Sequence, residues 1–384
     1  MGSGRKGEEN VSRPILVAIL AAMICPALQA QHITVEQLRD MLAAQKAAHK
    51  SDGEMAGKVG AVELTEELTA PALDKIEAEL QPGPKTADAL DLQADVSGFL
   101  DPPASQVPTK DQPDAAARAQ MLHQAIEFAA ITMHRMPNFL ASRVTRSFDD
   151  RPLLVSMSGW FPAHTDLHPV GTFTEQITYR DGREVSDALP SQQASTAKPQ
   201  PSPSGLTTSG EFGPVLATVM TDALKGQISW SHWERTSAGV AAVFHFEVPK
   251  DSSHYAVSFC WVVGARLSSY RHINDMADAQ FNCYKGTPAY HGSIAIDPAT
   301  GTVLRIAIES DLPRSDRMSR ADLFVEYGSV EIGGRLYVCP VRSVAIALIR
   351  FPESTPERTM LCLNEATFAN YHRFGATVRV LPSH

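Results

Sequence analysis

The second half of the chain repeats one pattern. GVAAVFHFEVP, HYAVSFCWVV, HGSIAID, TVLRIAIE, LFVEYGSVEI, RLYVCPVRSVAIALI and RTMLCLNEATFANY follow one another, many parted only by turn signals such as ATG and IGGR. Apolar and polar residues alternate along these runs, which is the period of a strand with one face buried. Short connections make neighbouring strands antiparallel, so the pattern dictates a large antiparallel sheet, either a meander or an open barrel. Two earlier runs join it. NFLASRVTRSF, 138–148, reads as the first strand, and GTFTEQITYRDGREV reads as a hairpin turned by its Asp-Gly pair.

HGSIAIDPATGTVLRIAIESDLP, 291–313, gathers Asp, His, Thr and Arg among aliphatics, yet each polar residue has a structural task. Pro298 presets the first turn position, Gly301 supplies a left-handed end, and Asp297 accepts backbone N–H groups. In the register this implies, Ile294 faces Arg305 and Ala295 faces Leu304.

The faces of the strands differ. Val240, Ala242, Phe244, Phe246 and Val248 share one side of their run, opposed by Ala241, Val243, His245 and Glu247. Tyr255, Val257, Phe259, Trp261 and Val263 share a side of the next. One side is apolar and aromatic and the other mixed, as in a sheet buried on one face by helices and wetted on the other. The covers are helices at 114–135, bearing Met121, Leu122, Ala125, Phe128, Ala129 and Met133, and at 214–225, bearing Val215, Leu216, Val219 and Leu224. The fold class is therefore α+β: a large curved antiparallel half-barrel sheet covered by helices, preceded by a small helical N-terminal region.

The remaining chain divides by composition. Residues 1–30 have the form of a signal peptide: Arg5, Lys6 and Arg13, an apolar run from Ile15 to Ile24, then ALQA. Residues 31–100 form an acidic helical region. Thr34 and Gln37 make a capping box, Thr69 caps a second helix with Pro71 in its first turn, and a third is expected from Thr86 to Phe99. Residues 101–113, DPPASQVPTKDQP, are a Pro-rich linker. Residues 114–384 carry the helix-plus-sheet domain, with a polar Ser/Pro-rich stretch at 186–209 expected to be a disordered insert.

Charge excludes some functions. Residues 31–127 hold 8 Lys and Arg against 17 Asp and Glu, whereas the rest of the mature chain is near neutral. Neither part has the basic footprint nucleic acid requires. Basic residues after 127 are mostly Arg and lie inside strand-like runs. No later segment is long and apolar enough to cross a membrane, so no stable span is expected once the signal is removed. Beyond Cys25 there are four cysteines, Cys260, Cys283, Cys339 and Cys362. An even count in an exported chain favours disulfides, with three pairings open. Pairing sequence neighbours would close two similar loops worth roughly 3 kcal/mol each.

Catalytic motifs are scarce. There is no GxSxG, no glycine-rich phosphate loop and no GxGxxG after a strand, so no cofactor is implied. HTDLH brings His164, Asp166 and His168 together, a set open to a metal-dependent hydrolase although no HExxH is present. WSHWER places Trp230 and Trp233 as an aromatic pair at a sheet edge.

MPNFLASRVTR (136–146), GEFG (210–213), AAVFHFEVP (241–249), GSIAIDPATGTVLRI (292–306), EYGSVEIGG (326–334) and NEATFANYHRFG (364–375) resemble stretches of a group of uncharacterised exported acidobacterial proteins. More distantly, a helix followed by meandering strands with IDPATGTVLR resembles the periplasmic lipoprotein carriers of the LolA/LolB type and the RseB-like sensors. That resemblance implies an unclosed half-barrel holding acyl chains under a helical lid. The leading expectation is a non-catalytic periplasmic or secreted binding protein. Its partner would be a lipid, lipoprotein or peptide on an apolar concave face containing Phe244, Phe246, Phe259 and Trp261, or an envelope protein. The alternatives are the hydrolase and a cell-envelope interaction scaffold docking through its acidic helices.

Overall fold

The computed structural model describes Gly2 and residues 31–150, 167–186, 206, 208–236, 239–262, 281–351 and 358–374. The expected signal peptide and most of the 186–209 insert lie outside the described residues.

The helical region runs β1 (Gln31–Ile33), α1 (Val35–Ala47), α2 (Asp52–Gly60), β2 (Val62–Leu64), α3 (Ala70–Leu80) and α4 (Pro84–Ser97). Thr34 and Gln37 form the expected capping box on α1, and Thr69 caps α3 with Pro71 in its first turn. α2 has no strong apolar stripe and two internal glycines, so its helical period is faint in the sequence; its signal is the Ser51–Glu54 capping box. α4 starts at Pro84, earlier than Thr86, because proline loses nothing at a first helical position. Its own N-cap is Gly83, which has no side chain to offer. Asp52 of α2 serves instead, accepting the Lys85 and Thr86 N–H groups at 3.0 Å. β1 and β2 pair in parallel. Leu38, Leu42, Val59, Ile76 and Leu90 fill a core belonging to this region.

After an irregular stretch come α5 (Ala115–Arg135), β3 (Phe139–Asp149), β4 (His168–Arg180), β5 (Arg183–Ser186), α6 (Pro214–Ala223), β6 (Gln227–Thr236) and β7 (Gly239–Val248). Then follow β8 (Val257–Val262), β9 (Phe281–Gly286), β10 (Ala289–Ile296), β11 (Val303–Asp311), β12 (Met318–Ile332), β13 (Arg335–Phe351) and β14 (Arg358–Arg373). Ten strands form one antiparallel sheet in the order β5-β4-β3-β14-β13-β12-β11-β10-β7-β6. The sheet is not closed, as a half-barrel requires. Register shifts between Met318 and Arg320 and between Glu326 and Tyr327 interrupt its longest pairing, and bulges of this kind bend and twist a strand.

The expected turns are present. Asp181 and Gly182 both take positive φ between the paired Arg180 and Arg183. Asp297 accepts the Ala299 N–H at 2.9 Å, and Gly301 sits at φ 73°. Its hydrogen atom faces α5: a Cβ there would lie 2.4 Å from that of Gln124. The register beyond this turn departs from expectation. Ile294 pairs with Ile306 and Ala295 with Arg305, because the pairing shifts before Ile296 meets Val303 and leaves Leu304 as the extra residue.

Both faces of the sheet are covered. On the inner face lie α5, through Met121, Ala125 and Ala129, and α6, through Val215, Leu216 and Val219. Leu224, expected on that apolar stripe, is the C-cap of α6 and exposed; Ala223 takes the buried place. On the outer face, expected to be half-wet, the helical region is seated. Leu92, Val96 and Phe99 pack on a patch of Phe148, Ala307, Phe324, Val344, Ile346 and Leu363.

β8 and β9 also differ from expectation: they form a ribbon of their own, not part of the large sheet. β7 is already paired with β6 on one edge and β10 on the other, so the chain leaving Val248 cannot pair beside it.

Candidate functional site

Of the four residues expected to hold a ligand, the two whose side chains are described lie in the inner core with Tyr255 and Val257. Phe244 and Phe246 are each 1% exposed. Phe244 meets the Trp230 ring edge-on at 5.6 Å, and Phe246 meets Tyr290 at 5.8 Å. Phe259 and Trp261 belong to the separate ribbon, and their side chains lie outside the description. Between α5, α6 and the sheet, Phe128, Met136, Phe212, Leu216, Tyr327 and Pro340 line a void of only about 10 Å³. Ligand pockets usually hold several hundred Å³, so this interface is packed as core. A larger, open hollow of about 300 Å³ lies on the helical region, lined by Gln45, Lys50, Glu54, Gly57, Lys58 and Ala61.

Cys339 and Cys362 are both buried and are not bridged to each other, which corrects the expectation that these sequence neighbours pair. In the β13–β14 register Cys362 lies opposite Ala347, eight positions along β13 from Cys339. That is roughly 26 Å at strand rise, far beyond disulfide reach. Burial pushes the Cys339 thiol up to about 12. Cys260 and Cys283 stand opposite each other in the β8–β9 pairing, and their side chains lie outside the description.

Of the HTDLH set, His164 and Asp166 lie outside the described residues. His168 opens β4, its imidazole 3.6 Å from Asp149. Among the described residues no group of three or more His, Cys, Asp or Glu side chains could hold a metal ion. Trp230 and Trp233 do form an edge-on pair, 4.9 Å apart. Trp233 donates its Nε1–H to the Asp111 carbonyl at 2.9 Å while the Lys110 ammonium sits 3.8 Å over its ring, so the linker is strapped to β6.

Two polar clusters tie down the inner face. Asp222, near the end of α6, is fully buried and accepts the Tyr290 hydroxyl at 3.0 Å and the His254 backbone N–H at 2.7 Å, with the His254 Nδ1 at 2.6 Å. Glu211 of GEFG is also fully buried, 3.4 Å from Arg143 of β3, and its backbone carbonyl accepts the Tyr327 hydroxyl. Glu184 approaches the same cluster; burial, and then the charge of Glu211, push its carboxyl up to about 7. GEFG, MPNFLASRVTR and EYGSVEIGG thus meet in one place.

The most distinctive arrangement lies on the outer face, where sequence reading placed no site. Six strands present charge beneath the helical region. Arg146 of β3 pairs with Glu365 of β14 at 2.9 Å, and Glu365 with Arg342 of β13 at 3.3 Å. Arg342 reaches Glu326 of β12 at 3.6 Å and also pairs with Asp95 of α4, which is 1% exposed. Arg305 of β11 forks onto Glu234 of β6, with one bond of 2.8 Å, and touches Glu67 of the helical region at 3.4 Å. His232 faces Glu234 at 3.8 Å.

Glu67 is the odd member. It is 7% exposed, and its Oε2 has no hydrogen-bond partner. Arg305 is committed to Glu234, so three carboxylates, Glu67, Glu234 and Glu326, crowd one guanidinium. Burial, only partly offset by Arg305, pushes the Glu67 carboxyl up to about 7. Burial raises Glu326 as well. Glu234 stays below its ordinary value: burial opposes its charge, but His232 and Arg305 outweigh that. Two signals in the sequence mark this interface, the acidity of residues 31–127 and the arginines inside later strands.

No protein-family model, no curated protein and no solved structure matches the chain.

Proposed function

We propose that the protein is a non-catalytic interaction scaffold of the cell envelope, exported by its N-terminal segment, which engages a basic polypeptide through the acidic helical region. One observation carries this reading: among the described residues both faces of the sheet are covered, and α5 and α6 pack on the inner one around a void of only about 10 Å³, so binding falls to the outer surface of the helical region. There Glu36, Asp40, Asp74 and Glu79 are exposed on α1 and α3. Arg39 of α1 is held by its hydrogen bond to Asp40, Lys46 of α1 is turned to the Leu80 carbonyl, and Lys75 of α3 lies 3.9 Å from Glu79. An acyl chain at Phe244 and Phe246 would instead need α6 to lift from a packed interface, at the cost of the Asp222 bonds.

Salt-dependent capture tests the proposal. Full-length protein immobilised in low salt is expected to retain a basic envelope polypeptide and release it as salt screens the charges. The quadruple variant Glu36→Gln, Asp40→Asn, Asp74→Asn and Glu79→Gln is expected to lose it. Equal retention by that variant, or a co-purifying lipid identified by native mass spectrometry in place of a polypeptide, would overturn the scaffold reading.

A further inference from the structure

We propose that the helical region is a pH-released cover of the sheet, with the Glu67 carboxyl as the group that senses the change. This goes beyond the scaffold reading and does not depend on the partner's identity. The helical region has its own core, and it sits on the sheet through one helix face and a set of ion pairs. Beneath it lies an apolar patch built from Phe324, Val344, Ile346 and Leu363. The chain between the two parts is the irregular 101–113 stretch.

Glu67 faces charge from every element around it. Arg305 lies on β11, Glu234 and His232 on β6, Glu326 on β12, and Asp101 just beyond α4, where its carbonyl accepts the Glu67 N–H at 2.9 Å. With all carboxylates ionised, Arg305 is shared between Glu67 and Glu234 while Arg342 answers Glu326, and the unpartnered Oε2 of Glu67 is the least compensated. Docking therefore favours the neutral acid.

Once the cover lifts, the carboxyl returns to water and titrates near 4.3, the ordinary glutamate value. Docked, it titrates at about 7. A carboxyl raised in the docked state takes up a proton on docking. The added docking strength is thus fully present below the ordinary range and is lost as pH rises through about 7. Across that window docking weakens roughly tenfold per pH unit, on the order of a hundredfold in all. The raised carboxyls of Glu326 and Asp91 act in the same direction. Glu234, held low, acts oppositely and only in more acidic solution.

The test uses the full chain. Proteolytic nicking of the 101–113 stretch, normalised to an unstructured control peptide, is followed from about pH 5.5 to about pH 7.5, together with the radius of gyration from small-angle scattering. In the wild type, nicking is expected to accelerate at least tenfold and the radius to grow as pH rises. Glu67→Gln, which mimics the neutral acid, is expected to stay protected and compact throughout. Glu326→Gln removes one repelling charge, strengthens docking at neutral pH and is expected to move the midpoint of release to higher pH. The proposal fails if Glu67→Gln keeps the wild-type pH profile, if the wild-type stretch is protected at every pH, or if Glu326→Gln leaves the midpoint in place. Should Glu67→Gln not fold, the Glu326→Gln midpoint decides.

Discussion

The two covers of the sheet are built on different principles. Beneath α5 and α6 the contact is continuous apolar packing, stitched by a few fully buried polar groups such as Asp222 and Glu211. Beneath the helical region a smaller apolar patch is surrounded by arginines and carboxylates drawn from six strands. The inner cover has no core without the sheet, whereas the outer one brings its own. An interface of the first kind belongs to folding. One of the second kind resembles contacts between separately folded domains, where relative motion is the ordinary expectation.

That distinction can be broken by substitution. The largest effect is expected from Phe244→Ala, which opens a cavity in the inner core and should cost about 3–5 kcal/mol of global stability by denaturant unfolding. An unfolding curve in which only part of the chain responds would show that the inner contact is also modular. Next comes Arg342→Ala, which leaves Asp95 buried without its cation. About 3 kcal/mol should be lost from docking, read as nicking of 101–113 with the main unfolding midpoint of the sheet in place. Loss of the whole sheet in one step would erase the contrast. Asp222→Ala leaves the Tyr290 hydroxyl and a backbone N–H unpaired inside the core, for about 2 kcal/mol. It should lower the same global transition that Phe244→Ala lowers. Smallest is a chemical readout: Cys339 and Cys362 are expected to resist alkylation in the native protein at mildly alkaline pH and to react once it unfolds. Rapid native labelling at Cys339 would place a fluctuating edge where the structure has core.

The sequence makes the inner half of this picture readable and hides most of the outer half. Alternating runs foretell strands because period and burial are local properties, and Asp181–Gly182 and Pro298–Gly301 foretell turns because backbone sterics are local too. Capping residues place α1 and α3 for the same reason. α2 goes unread because its helix rests on contacts with α4 more than on its own composition. A one-residue bulge at Leu304 defeats the expected register, since turn chemistry cannot count the residues a strand will skip. The pairing of Cys339 with Cys362 looks attractive by loop length and fails by geometry, because both lie on long adjacent strands far out of step. The outer charge ladder is legible only in outline. Acidic helices and strand arginines are visible as compositions, but which carboxylate meets which guanidinium is decided by strand order. The aromatic face is read correctly as apolar at Phe244 and Phe246, yet apolar alternation does not distinguish a cradle from a filled core.

The strap across Trp233 has a consequence for any cover that lifts. Because Lys110 and Asp111 are held at the rim of β6, the free tether runs only from about Asp101 to Lys110, a span of roughly 30 Å at full stretch. A leash that short keeps the detached region at an effective concentration on the order of millimolar above its own seat. Detachment would then be a brief excursion, and a competitor for the uncovered strands would have to arrive within the lifetime of each one or bind tightly enough to outbid a neighbour that never leaves.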